Sequence, residues 1–150
     1  GSEREKYRIM KEEQARRLGE YIKKLRTERG MGNRELATKA GVDTAYISRL
    51  ERGFYKSPRP DSLRGIAKAL GIPLADLFAM ADYVMPYDLP NFGPYLRAKY
   101  GDLPEEAVSA LDAYFDRITA DHGLDPAGPA PGEDERPITR AQDIPAEDLV

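Results

Sequence analysis

The chain has 150 residues, no cysteine and a formal net charge of −3. That length holds one ordinary domain, or a small domain of about 65 residues with an appendage. The missing thiols exclude a disulfide framework and thiolate zinc sites, and with neither a secretory signal nor an apolar run of roughly 18 residues the expectation is a cytoplasmic protein that does not enter a membrane.

The net charge conceals a division along the chain. Residues 1–60 carry 16 Lys and Arg against 9 Asp and Glu, whereas residues 61–150 carry 7 against 17. Such asymmetry suits a first half that faces nucleic acid and a second half that cannot, or else two ordinary solvated surfaces.

From Gln14 to Arg29, Leu18, Tyr21, Ile22 and Leu25 fall on one face of a first amphipathic helix. The mixed-charge stretch Glu3–Glu13 either extends it or forms a loose arm. Two short helical patterns follow, Asn33–Ala40 and Thr44–Arg52, separated only by Gly41, Val42 and Asp43. Gly41 suits a left-handed position past a helix end, and Asp43 is expected to cap the next helix with its side chain. Gly53 reads as the stop after that helix.

Phe54–Pro60, with Pro58 and Pro60, reads as a loop. A fourth helix is expected from a capping Asp61 to Leu70, with Leu63, Ile66, Ala67 and Leu70 inward, and a fifth with Leu74, Leu77 and Phe78 inward as far as Met80. Pro86, Pro90 and Pro94 mark a linker. Pro104 opens a further helix whose apolar stripe is Ala107, Leu111, Tyr114, Phe115 and Ile118, and one helix cannot bury such a stripe alone. From Leu124 onward Pro, Gly and acidic residues suggest a flexible acidic tail. The expected layout is a DNA-binding domain at 14–83, a helical dimerisation or regulatory region at 84–123 and the tail at 124–150.

A tight helix-turn-helix as the second and third of five short helices has the geometry that places one helix in a major groove. The run RELATKAGVDTAYISRLERG followed by PDSLRGIAKALGIPLADLF closely resembles the phage lambda repressor/Cro-like family, also called the XRE family, over about residues 16–80. The resemblance implies an all-α fold: a five-helix lambda-repressor-like DNA-binding domain, here with a C-terminal helical extension and an acidic tail. It implies double-stranded DNA as ligand, no cofactor, no enzymatic activity and a dimer on a palindromic operator.

Carried over position by position, Ala37, Gly41, Ile47 and Leu50 are packing and turn residues. The recognition helix 44–52 presents Thr44, Ala45, Ser48 and Arg49 to the groove, with Tyr46 leaning toward backbone or base. Family members often have Gln at the first two of these positions, so polar readout shifts to Arg49, whose guanidinium can pair bidentately with the O6 and N7 of guanine, and Ala45 is left to touch a thymine methyl. Arg49 in an ion pair or on a phosphate is the plainer alternative. Asn33 matches a phosphate-binding position at a helix N-terminus, although Gly32 stands where the family usually has a Thr or Ser cap. Lys56 and Arg59 are placed to meet the DNA backbone or the edge of the minor groove, with Tyr55 adding a hydroxyl contact, unless the three are only a solvated loop. Glu51 is expected to pair with Arg26 on the first helix.

Lone His122 at a helix end has no second His or Cys to make a metal site, and no phosphate-binding glycine loop or nucleophile motif occurs. The segment NFGPYLRAKYGDLPEEAVSALDAYFDRI resembles, less specifically, the tails of actinobacterial regulators of this family found beside a metallopeptidase that inactivates them. Two kinds of regulatory protein partner therefore stay open, a protease or a toxin. In the second case the chain would be an antitoxin-like protein whose DNA domain serves autoregulation.

Overall fold

The structure, a computed structural model, describes residues 2–84 and 86–130. Seven α-helices, with no strand among the described residues, follow in the order α1 (Glu3–Glu28), α2 (Asn33–Ala40), α3 (Thr44–Glu51), α4 (Pro60–Leu70), α5 (Leu74–Met80), α6 (Phe92–Lys99) and α7 (Glu105–Asp121). A single 3-10 turn, Pro86–Asp88, lies between α5 and α6.

Of the two readings of the first residues, extension holds: α1 begins at Glu3, and the Ser2 side chain accepts from the Glu5 amide at 3.2 Å. No proline interrupts the run, and ion pairs one turn apart link Arg16 to Glu13 and to Glu20, both at 2.7 Å. Lys11 adds a tie to the far end of the unit, its ammonium 3.1 Å from Asp82 just beyond α5.

Three expectations about helix ends need correction or hold. Gly41 does end α2 in the left-handed region, φ 73°. Asp43 stands at the N-cap of α3, but its side chain makes no capping bond; its backbone carbonyl accepts from the Tyr46 and Ile47 amides, and the side chain lines a surface recess. α4 starts two residues earlier than expected, because Pro60, which has no amide hydrogen to satisfy, takes the first helical position, with Arg59 and not Asp61 at the cap. Asp61 then lies inside the first turn, where its charge suits the positive end of the helix dipole.

The five helices α1–α5 share one core of Leu18, Ile22, Leu36, Ala37, Ala40, Ile47, Leu50, Leu63, Ile66, Ala67, Leu70, Leu77 and Ala81. Each fully buried Leu or Ile in it contributes about 1.5–3 kcal/mol relative to exposure. Leu77 is buried as expected, while Leu74 and Phe78 are only half-buried. Two glycines set how closely the helices approach. A Cβ on Gly65 of α4 would fall on the Ala40 carbonyl of α2, and one on Gly19 of α1 would meet the Glu51 carbonyl oxygen at 2.6 Å.

Beyond α5 the expected linker is partly helical. Pro94 does not prevent α6, because it occupies the third helical residue, where its missing amide would have no intrahelical acceptor. α6 packs on α7: Gly93 and Leu96 are buried on one side, Val108 and Thr119 on the other, and the Phe92 and Phe115 rings lie 4.7 Å apart. The expected stripe on α7 is thus split. Phe115 turns to α6 together with Val108, which the stripe omitted, whereas Leu111, Tyr114 and Ile118 remain exposed. Of the tail, Pro126–Pro129 line a groove with Phe92, Tyr95 and Phe115; residues 131–150 lie outside the described residues.

Candidate nucleic-acid interface

Most residues of α3 have one of two tasks. Ile47 and Leu50 are 0% and 1% exposed and fix the helix on the core, which leaves Thr44, Ala45 and Arg49 on the open side. The helix is also held at its C-terminal end by Glu51, whose carboxylate accepts from Arg26 Nε at 2.6 Å and Nη2 at 2.9 Å. Arg26 Nη1 donates in addition to the Met31 carbonyl at 2.8 Å. Both side chains are buried, and the hydrogen bonds to Glu51 raise the Arg26 pKa above its ordinary value. The pair expected from the sequence is therefore present, tying α1, α3 and the turn before α2 together.

Around the exposed side of α3 the candidate residues converge in two groups. Ala45, Tyr46, Arg49, Tyr55 and Arg59 line one open recess of about 440 Å³ together with Gly41, Val42 and Asp43. Within it the Tyr46 and Tyr55 rings stack with centroids 4.8 Å apart and planes 25° apart, and the Arg59 guanidinium carbon lies 5.7 Å from the Tyr46 centroid. The second group is a pair: Asn33 Nδ2 donates to Ser48 Oγ at 3.0 Å, so the start of α2 is joined to the middle of α3. Thr44 and Lys56 are exposed and stand outside the recess lining.

Tyr46 differs from the expectation. Its hydroxyl is buried with no hydrogen-bond partner among the described residues, so in the free protein it is not presented to a ligand. The ring instead forms a floor under Tyr55 and Arg59. Carboxylates neutralise part of the positive charge of the unit. Arg16, Arg26, Lys39 and Arg64 are all ion-paired. Among the described residues Arg49, Lys56 and Arg59 have no carboxylate partner, and their charge is uncompensated where an anion could approach.

No local pattern singles out Val42 and Gly41 as recess walls, since their part is played by backbone shape. Sequence reasoning also passed over Phe54, 58% exposed with the Arg52 guanidinium 4.9 Å from its centroid. A large aromatic in a loop otherwise rich in polar residues was the available signal.

A short helix delivered by a glycine turn, fixed from behind and bearing unpaired cations in front, defines a helix-turn-helix DNA-reading domain. The comparisons with known proteins agree. The Helix-turn-helix family model matches residues 22–77. The HTH-type transcriptional repressor RghR of Bacillus subtilis (strain 168) is 32% identical over 122 residues, 68% of this chain and 90% of that protein. The HTH-type transcriptional regulator SinR of the same organism is 35% identical over 60 residues, 40% of this chain and 54% of that one. Among solved structures, the clp gene regulator ClgR from C. glutamicum is 31% identical over 47% of this chain and 90% of its own, with a TM-score of 0.40. The chain belongs to the helix-turn-helix family of transcriptional regulators, which act by binding DNA and not as enzymes. No helix among the described residues is long and apolar enough to cross a membrane.

Proposed function

We propose that the protein is a repressor that binds a two-fold-symmetric operator as a homodimer, with 14–83 as the DNA-binding domain and 84–123 as the dimerisation region. The observation that carries the reading is Arg49, exposed on α3 and without a carboxylate partner. In a major groove it would pair with guanine O6 and N7, Ala45 would touch a thymine methyl, and Thr44 would reach a base edge or phosphate. Asn33 and Ser48, already bonded to each other, form one polar unit at the start of α2 that meets a phosphate. Lys56, Arg59 and Tyr55 contact the backbone beside it, while Tyr46 supports them from below.

The dimer reading is supported by α7. Its exposed residues Leu111, Tyr114 and Ile118 and the half-buried Ala107 are spaced four, three and four, a pattern that reads the same in both directions. A second copy laid antiparallel would set Leu111 against Tyr114 and small Ala107 against large Ile118. Isologous pairing of this kind places two recognition helices on one duplex, about 34 Å apart for successive major-groove faces.

The test is selection of bound sequences from random DNA by the wild type and by Arg49→Ala. The wild type is expected to return a palindrome, and Arg49→Ala to lose about 1–3 kcal/mol of specific binding and relax one guanine in each half-site. Uniformly weaker binding with an unchanged base preference would make Arg49 a phosphate contact.

A further inference from the structure

We propose that Tyr83 is a positioning residue for DNA binding: from the exit of the five-helix unit it holds the segment 54–59 in the shape that presents Lys56 and Arg59 to the phosphate backbone. Its hydroxyl donates to the Pro58 carbonyl at 2.5 Å, although the two residues are 25 positions apart. Its ring stands edge-on to Phe78 of α5, centroids 5.6 Å apart, and its amide donates to the Phe78 carbonyl at 2.8 Å. The hydroxyl is thus fixed from the side of the core, and it holds the backbone of a segment that has no helix or strand of its own.

The approach to Tyr83 is itself constrained. Asp82 is the one non-glycine residue with positive φ among the described residues, at 66°, and Lys11 of α1 is 3.1 Å from its carboxylate. Aspartate tolerates the left-handed region better than most side chains. The turn it makes redirects the chain after α5.

Segment 54–59 is consequently pinned at two points. Tyr55 is stacked on Tyr46 of α3, and buried Pro58 is bonded to Tyr83, with exposed Lys56 and Ser57 between them. A loop ordered before its ligand arrives has less conformational freedom to lose on binding. Tyr83 also begins the connection to α6 and α7, so the bond that shapes the loop sits where the second unit is attached.

This inference rests on the reading of Lys56 and Arg59 as phosphate contacts, and the experiment separates the two. Tyr83→Phe in the full chain removes only the hydroxyl. Affinity is expected to fall about threefold to tenfold, equally on the selected operator and on random DNA, with base preference and salt slope kept because the contacts still form. Lys56→Ala with Arg59→Ala should instead flatten the salt slope by about 1.8 log units for two contacts, and Tyr83→Phe should have no further effect in that background.

An unchanged slope in the Lys56/Arg59 variant would sink the loop reading and this inference together. A normal slope loss, combined with wild-type affinity in Tyr83→Phe or with the same fall in both backgrounds, would overturn the role of Tyr83 alone. Backbone amide order parameters of residues 55–57 in free, folded protein read the loop directly: they should fall in Tyr83→Phe, and unchanged values would also overturn the proposal.

Discussion

The five-helix unit and the α6–α7 pair use apolar residues in opposite ways. In the first, residues from every helix close on one core in which Ile22, Leu36, Ile47, Leu63, Ile66 and Leu77 are 0% exposed. In the second, Leu96 and Val108 are the buried aliphatic residues, while Leu111, Tyr114 and Ile118 face solvent although they outnumber them. The first unit closes its own apolar core and presents Arg49, Lys56 and Arg59 without carboxylate partners beside α3. The second has more apolar surface than two short helices can cover, which is the condition of an element that is completed by something else.

The largest effect expected is confined to the first unit. Glu51→Ala leaves the Arg26 guanidinium buried with only the Met31 carbonyl, and should cost about 3 kcal/mol, or a fall in Tm of more than about ten degrees for a domain of this size. DNA affinity of the folded fraction should change far less. Equal stability with lost binding would show that Glu51 belongs to the interface and that the first unit is less self-contained than its core suggests. Gly65→Ala comes next, because the added methyl meets backbone, not a movable side chain. α2 and α4 must separate, at a cost of about 1–3 kcal/mol, read as a lower midpoint in urea at unchanged slope. An unaffected midpoint would mean that the α2–α4 contact is loose.

Residues whose role is local were legible in the sequence: the apolar spacing of α1–α5, Gly41 after α2 and the turn before α3 all depend on neighbours within one or two turns. The Arg26–Glu51 pair, which spans 25 positions, came from the family resemblance and not from any local pattern. What the sequence hid depends on distant backbone. Asp43 and Asp61 both look like helix caps, yet a backbone carbonyl does that work at α3 and Pro60 displaces the cap at α4. Gly19 and Gly65 look like weak points in helices until the opposing carbonyls are placed over them. On α7 a single hydrophobic face was visible, but only the position of α6 decides that Val108 and Phe115 turn inward while Leu111, Tyr114 and Ile118 do not.

The smallest effect on stability, and the one that tests the contrast between the units most directly, is expected from Leu111→Glu. Leu111 is 42% exposed in the isolated chain, so a charge there removes little packing and should leave Tm nearly unchanged when the protein is dilute. If a second copy covers α7, the same charge would be buried against Tyr114 of that copy without a partner, and association should weaken by about 2–5 kcal/mol. Sedimentation would then show monomer where the wild type is dimeric, and binding would become non-cooperative on two half-sites while a single half-site is still recognised weakly. Truncation after Tyr83 should reproduce this, since it keeps the five-helix core and the Tyr83–Pro58 bond and removes α6 and α7. A truncated chain as dimeric as the full one would place the dimer contact within the five-helix unit. The uncovered face of α7 would then belong to another protein.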